Sequence, residues 1–389
     1  MAKNRKKNKT ATDGADARQA GGSQHLASNA SVSMIRGKYL ASRLYKRFEN
    51  IILLTRLNKP IGIFLLLWPT LWAIWIASQG TPGWRIPLVF VAGVILMRSA
   101  GCAINDFADR KFDSRVNRTK DRPLASGRAH PFTAVMIFIV LSAAAFALVL
   151  LFLNRQVMYL SFVALAIALA YPFAKRHTHL PQIVLGMAFG MSIPMAFAAY
   201  TESVPTEGWL LFTANILWAT AYDTMYALVD KSDDVKIGVK STAILFGDLY
   251  LKIIAILYVL IIFALLLVAD IIDLNSGPFL ISLALASVLA GYELYLISDA
   301  EPARCFRAFL NNNWYGAAIF LGILYHYLLD NGQPLAWWAW ILSAYIVSLI
   351  IIYNFSLLKR ANKAYWVLMA CLLGPLAIPM VLFASRKRV

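Results

Sequence analysis

Charge is scarce in this chain, and negative charge scarcest. Asp and Glu number 20 among 389 residues against 37 Lys and Arg, a formal net charge of +17, and charged types make up only 15% of the whole. An average soluble domain carries about 25%. Cysteine is almost absent: Cys102, Cys305 and Cys371 are far apart and lie in or beside apolar stretches. That excludes a disulfide framework and a cysteine metal knuckle. Five histidines are scattered, and only His177 and His179 are close, at a spacing that points to opposite sides of a helix. A transition-metal centre has no ligands to build on. No short apolar core of a signal peptide appears before Leu40. Residues 1–42, basic at their start and rich in Ala, Ser, Gly and Asn, are expected to form a disordered cytosolic tail that orients the first span. Nucleic-acid binding is not expected.

What remains is apolar. Residues of the AVILMFWYC class make up 60% of the sequence, and runs near 20 residues recur from residue 61 to residue 384. Each is long enough for a helix to cross the hydrocarbon core of a bilayer. One soluble core could not hide them all, because domains stop growing at roughly 250–300 residues. The fold class expected is all-α, a polytopic membrane helical bundle. Spans are expected near 61–79, 86–104, 132–153, 157–171, 182–200, 209–227, 251–270, 277–297 and 312–329. Two more apolar segments, near 336–357 and 364–384, would form a C-terminal extension over residues 331–389. Gly374, Pro375 and Pro379 make a broken helix possible in the last of them.

Lys and Arg concentrate in the tail, the 105–131 loop, the 172–181 loop, the 228–252 loop and the 298–311 loop. The alternate connections, such as Thr201–Glu207 and Asp270–Gly277, carry almost none. That alternation places the N-terminus and the charged loops in the cytosol.

Seven of the few acidic residues fall into two short stretches. The first reads Asn105-Asp106-Phe107-Ala108-Asp109-Arg110-Lys111-Phe112-Asp113. If the second span continues as a helix, Asn105, Asp109 and Asp113 share one face at i, i+4, i+8. Like charges so placed repel, unless a hard cation sits between them, and an amide oxygen joining carboxylates suits Mg²⁺. In the second stretch Asp223, Asp230 and Asp234 stand at i, i+7, i+11 with Tyr226 on the same side. Asp223 lies at the end of an apolar span, where an unpaired carboxylate is expensive. Because Mg²⁺ is usually held by few carboxylates plus substrate phosphates, the ligand should bring its own oxygens. Arg56 and Lys59 before the first span, Lys175 and Arg176 after the fourth, and Arg110, Arg122 and Lys240 beside the clusters could meet a diphosphate. Each of them singly is also what topology alone would place there.

These stretches resemble a known family. Asn105 to Asp113 followed by Arg122-Pro123-Leu124-Ala125-Ser126-Gly127, and Tyr222-Asp223-Thr224-Met225-Tyr226-Ala227 through Asp233-Asp234 to Lys240-Ser241-Thr242-Ala243, are similar to the two signatures of the UbiA superfamily of intramembrane prenyltransferases. Arg56 to Gly62, Tyr171 to Arg176 and Asn311-Asn312-Asn313 fit as well. The resemblance runs from about Arg43 to about Leu329. It implies a nine-helix bundle around a central cavity open to lipid, in a bacterial inner membrane, with Mg²⁺ on Asn105, Asp109, Asp113, Asp230 and Asp234. It further implies Lys175 on the diphosphate at the end of a YxxxK pattern begun by Tyr171, Arg56 on diphosphate or an aromatic carboxylate, and Asp223 positioning or deprotonating the acceptor. The activity it implies is transfer of a polyprenyl group from polyprenyl diphosphate to the ring carbon ortho to the hydroxyl of 4-hydroxybenzoate, a step of ubiquinone biosynthesis. Trp68, Trp72, Phe189, Trp218 and Tyr222 could stabilise an allylic cation through their ring faces. The acid motifs leave open haem, a naphthoate, homogentisate or a sugar phosphate as acceptor. An ion-coupled transporter would instead place its acids near mid-membrane on broken helices.

Overall fold

In lipid, a backbone must satisfy its own polar groups, which leaves helices or closed barrels. The computed structural model describes residues 45–330 apart from Asn117, and among these residues there is no strand. The expected tail and the C-terminal extension lie outside the described residues.

The chain begins with α1 (residues 45–55) and continues through α2 (Ile61–Ala77), α3 (Arg85–Asp113), α4 (Pro131–Phe152) and α5 (Arg155–His177). A broken pair follows, α6 (Pro181–Gly190) and α7 (Ser192–Thr201), then α8 (Thr206–Ile237) and the short α9 (Thr242–Leu245). The bundle closes with α10 (Tyr250–Ile271), α11 (Gly277–Leu296) and α12 (Pro302–Asp330). Described helices coincide with all nine expected span positions. Six of the segments are individually long and apolar enough to cross a membrane, and Ile61–Ala77 is a shorter apolar helix.

Local chemistry sets several ends. Pro131 and Pro181 open α4 and α6 at positions where a missing N–H costs nothing. Asn154 caps α5, its Oδ1 accepting from Val157 N at 3.1 Å, while its Nδ2 donates to the Ala198 carbonyl of α7. Gly238 ends α8 in a left-handed conformation. Two helices outrun the expected spans. The second continues to Asp113 and the sixth to Ile237, so both acid clusters ride on unbroken helices rather than in loops.

The interior is dominated by large rings. Trp72, Trp218, Tyr222 and Tyr315 are fully buried, with Trp218 packed between Trp72 and Tyr315 at centroid distances of 5.3 and 5.7 Å. In a bilayer such contacts act through close packing and polar links rather than water exclusion. Small residues permit the approach: a Cβ on Gly186 of α6 would stand 3.0 Å from the Ile216 backbone of α8. Across that seam Asn215 Nδ2 donates to the Gly186 carbonyl at 3.2 Å, and the Thr242 amide donates to Gln182 Oε1 at 3.1 Å, fixing α9 beneath α6.

Candidate active site

α3, α5 and α8 converge on a cavity of about 860 Å³. One end is polar and lined by Arg56, Asn105, Asp109, Lys175, Asp230 and Asp234; the other runs between α4 and α5 past Ala145, Phe146, Val149, Phe162 and Leu165. Seven aspartates and eight lysines or arginines line it. Such near-balance favours a ligand that carries both an anion and its counter-cation over either alone.

The expected face of α3 forms as read, with Asn105, Asp109 and Asp113 all on the cavity wall. Asp109 pairs with Lys175 of α5, and Asp113 accepts from Arg122 Nη1 at 2.8 Å. On α8, Asp230 is held by the fork of Arg118, whose Nε lies 2.9 Å from Oδ1 and whose guanidinium also reaches the Tyr226 hydroxyl. Arg118 lies over the Tyr226 ring at 4.7 Å. Asp223 and Asp234 make no side-chain hydrogen bond or ion pair among the described residues. Burial, with Asp230 beside it, pushes the Asp234 carboxyl up to about 6.

Arg56 takes a strained backbone to reach the site. At the C-terminal end of α1 it adopts φ +53°, a left-handed conformation that glycine normally supplies. The turn aims Nη2 at Asp106 Oδ1, 2.6 Å away, and Arg122 Nη1 approaches the same oxygen at 3.1 Å. Lys59, Tyr171 and Lys240 also line the cavity, and Lys240 donates to the Lys175 and His177 carbonyls, tying the α8–α9 connection to the end of α5. Arg110 and Arg176 lie off the cavity wall. Arg110 donates to the Phe107 carbonyl and covers that ring at 4.4 Å; Arg176 donates to the Ala108 carbonyl at 2.8 Å, between Phe112 and Phe173. Among the expected aromatics Phe189 and Tyr222 line the cavity, while Trp68, Trp72 and Trp218 stand behind its wall.

Sequence reading missed Asp106, Arg118 and Arg98. Asp106 falls off the face shared by Asn105, Asp109 and Asp113, yet it is almost fully buried between two arginines. Arg98 had a plain signal, a charge inside a predicted span, which is a functional mark by default. Its guanidinium packs against Phe189 at 5.6 Å and donates to Cys102 Sγ at 2.7 Å. Gly62 leaves room for this pose, because a Cβ there would stand 2.3 Å from Nε and the guanidinium would have to shift.

Arg98 precedes Asn105 by seven residues, and Asp223 precedes Asp230 by seven. Two helical turns are about 10 Å. The cavity therefore has two tiers: an outer tier of carboxylates and cations, and a deeper tier with one arginine, one aspartate and the tyrosine Tyr222. Five buried oxygens on its wall lack partners, namely Asn105 Oδ1, Asp109 Oδ1, Ser142 Oγ, Tyr222 Oη and Ser241 Oγ. Among the described residues no three His, Cys, Asp or Glu side chains converge closely enough to hold an ion alone. The unpartnered oxygens of Asn105 and Asp109 are hard donors of the kind Mg²⁺ takes, and they leave room for ligands from a phosphate. The residues fit that ion.

A polytopic helical bundle enclosing a cavity with an acid-and-base mouth and an apolar arm is the architecture of an intramembrane enzyme acting on a lipid-like anion. Residues 66–316 match the UbiA prenyltransferase family, and the chain belongs to it. It is 54% identical over 278 residues to a 4-hydroxybenzoate octaprenyltransferase of Saccharophagus degradans, covering 72% of this chain and 92% of that protein. A protein of the same name from Nitrosococcus oceani is 56% identical, over 71% of this chain and 96% of the relative. The fold is also that of a UbiA homolog from Aeropyrum pernix K1, with a TM-score of 0.59, 26% identity, and coverage of 67% of this chain and 97% of that one. A UbiA homolog from Archaeoglobus fulgidus, solved bound to GPP and Mg²⁺, shares the fold at a TM-score of 0.55 and 17% identity, over 69% and 99% of the two chains.

Proposed function

We propose that this protein transfers a polyprenyl group from its diphosphate to the ring carbon ortho to the hydroxyl of 4-hydroxybenzoate, with the active site on the cytosolic side of a bacterial inner membrane. Support comes from relatives of that name above 50% identity over most of the chain. The structural observation that carries the reading is the two-tier cavity.

In the outer tier Asn105, Asp109, Asp113, Asp230 and Asp234 would hold Mg²⁺, and Arg56, Lys59, Arg118, Arg122, Lys175 and Lys240 would face the diphosphate. Bound Mg²⁺ supplies charge stabilisation for the departing diphosphate. The cations of the chain add to it, and the fork of Arg118 can engage phosphate bidentately as it does a carboxylate. The apolar arm takes the prenyl tail and keeps water from the reacting carbon.

The deeper tier suits the acceptor. An aromatic acid offers a carboxylate at one end and a phenol at the other, and the tier offers Arg98 to the first and Asp223 with Tyr222 to the second. A carboxylate at Asp223 polarises the phenol, raising electron density at the ortho carbon, and accepts the proton that leaves that carbon after the new C–C bond has formed, its C–H electron pair restoring the aromatic ring. Phe189 and Tyr222 present ring faces to the allylic cation. The loop charges support this sidedness, since the positive-inside pattern would put both acid clusters on the cytosolic face.

Membranes containing the protein, incubated with 4-hydroxybenzoate, octaprenyl diphosphate and Mg²⁺, should yield the prenylated acid by mass spectrometry. No product from wild type, or an unchanged yield from Asp109→Ala and Asp230→Ala, refutes the proposal.

A further inference from the structure

Behind the cavity wall lies a buried polar cluster that the reaction does not touch. Glu293 of α11 is fully buried and has no cation partner among the described residues. Its Oε1 accepts from Asn311 Nδ2 at 2.9 Å, and its Oε2 is hydrogen-bonded to the Tyr258 hydroxyl of α10. The same hydroxyl lies 3.1 Å from Asn312 Oδ1 on α12, and that oxygen accepts from Trp218 Nε1 of α8 at 2.8 Å. The orientation of the Asn312 amide is fixed on both sides. An indole N–H can only donate, so it faces the oxygen, while Nδ2 faces the Ala308 carbonyl at 3.0 Å and Met225 Sδ at 3.6 Å.

Counting protons decides the state of the cluster. Two oxygen–oxygen contacts meet at the Tyr258 hydroxyl, and each needs a proton between its atoms. Tyr258 brings one. It must point at Asn312 Oδ1, an amide oxygen with no proton to give. The contact with Glu293 then requires its proton from Glu293. An ionised Glu293 would claim the tyrosine proton and leave Tyr258 Oη facing Asn312 Oδ1, two lone pairs with nothing between them. It would also be an uncompensated carboxylate within a membrane-spanning helix, which is costly.

We infer that Glu293 is held as the neutral acid, donating to Tyr258, and that the relay Glu293–Tyr258–Asn312–Trp218 positions the acceptor tier. Asn312 grips α8 at Trp218 and Met225, with Tyr222 and Asp223 between them. Trp218 meets the Tyr222 ring edge-on at 5.3 Å, and Phe309, one turn before Asn312, contacts the Tyr222 and Tyr226 rings at 6.1 and 4.8 Å. The height and rotation of the α8 face that carries Asp223 are thus set from α12, and α12 is set from α10 and α11. Glu293 is a positioning residue in this arrangement; its effect on turnover rests on the acceptor role proposed for Asp223.

The test is a pair of variants. In Glu293→Gln an N–H stands where the acid O–H stood, and an oxygen still accepts from Asn311, so the relay survives. Steady-state kinetics should keep kcat and the acceptor KM within about twofold of wild type, whereas Glu293→Ala should raise the acceptor KM about tenfold, the size of one or two lost intramembrane hydrogen bonds. The prenyl diphosphate KM should change less than the acceptor KM, because Arg118 holds Asp230 and Lys175 holds Asp109 independently of the relay, which separates positioning of the acceptor tier from general loosening. Should Glu293→Ala fail to fold, Tyr258→Phe removes the centre of the relay while keeping the ring, and the same selective rise in acceptor KM is expected. Infrared spectra of wild type minus Glu293→Gln should contain a protonated-carboxyl C=O stretch that shifts in D₂O. Carboxylate bands in its place, or Glu293→Gln behaving as Glu293→Ala does, would overturn the inference. The infrared difference needs no turnover, so an inactive wild type would count against the proposed reaction while the band still decides the state of Glu293.

Discussion

Gly62 tests the deeper tier without touching any proposed ligand. A Cβ at this position would lie 2.3 Å from Arg98 Nε, 2.4 Å from Nη2 and 2.7 Å from Cζ. Ordinary contact begins near 3.4 Å, so in Gly62→Ala the guanidinium must retreat by about 1 Å. Gly62 is the second residue of α2, where alanine still loses less backbone freedom on folding than glycine, and the clash is with the far end of a flexible side chain. Stability should therefore hold or rise. The proposed grip on the acceptor carboxylate should weaken. A hydrogen bond to a charged group is worth about 1.5–3 kcal/mol, and 1.4 kcal/mol is tenfold. Loss of one of two such bonds predicts an acceptor KM raised about tenfold to hundredfold. The assay varies 4-hydroxybenzoate at saturating prenyl diphosphate and follows melting in detergent, with Arg98→Ala and Arg98→Lys alongside. An unchanged acceptor KM in both Gly62→Ala and Arg98→Ala would refute the assignment of Arg98. A lowered melting temperature in Gly62→Ala would refute the packing argument.

Three further outcomes follow from the same geometry. Chelating Mg²⁺ with EDTA, or replacing Asp109 or Asp230 by Ala, should reduce product by about a thousandfold or more, a loss on the scale of removing charge stabilisation from a transition state; restored turnover on adding Mg²⁺ to the chelated wild type, and none in the variants, checks it. Asp234 titrates near 6, above its unfolded value, so below that pH a proton must leave before a cation binds, and the apparent Mg²⁺ affinity measured by calorimetry should fall as pH drops through 6, less steeply in Asp234→Asn. In the metal-free protein the sign reverses: the folded state binds that proton more tightly than the unfolded chain, so melting temperature should decline as pH rises through 6. Ala145→Trp should fill the apolar arm where α4 lines it, raising KM for octaprenyl diphosphate while a three-unit prenyl diphosphate remains a substrate.

Much of this was legible in the sequence, for identifiable reasons. Apolar runs fix where helices cross a bilayer because lipid offers the backbone no alternative partner, and described helices stand at each expected span position. The i, i+4, i+8 register of Asn105, Asp109 and Asp113 was legible because α3 continues unbroken to Asp113. What escaped depends on contacts far apart in the chain. Arg118 reaches across 112 positions to Asp230, from a loop with no periodicity to read. Asp106 sits off the inferred face and is claimed by Arg56 through a left-handed turn. Arg110 and Arg176 looked like phosphate ligands because they flank the clusters, but both are engaged by backbone carbonyls and rings beside the cavity.

Acid motifs read along the chain can specify a metal and a diphosphate, yet they say nothing of the acceptor, whose proposed place is elsewhere in the same cavity. The proposed acceptor tier lies seven residues upstream on each helix, in Arg98 and Asp223, so the two proposed sites would be locked together by the rigidity of α3 and α8. That coupling has a consequence for substrate choice. The distance between the diphosphate and the acceptor carboxylate is set by two turns of helix and not by a loop, so a longer or shorter acceptor cannot be met by loop movement. The ring carbon that receives the prenyl group is then selected by geometry before its reactivity matters. The buried relay from Glu293 to Trp218 serves the same end from behind, holding α8 at the height where Asp223 and Arg98 face one another.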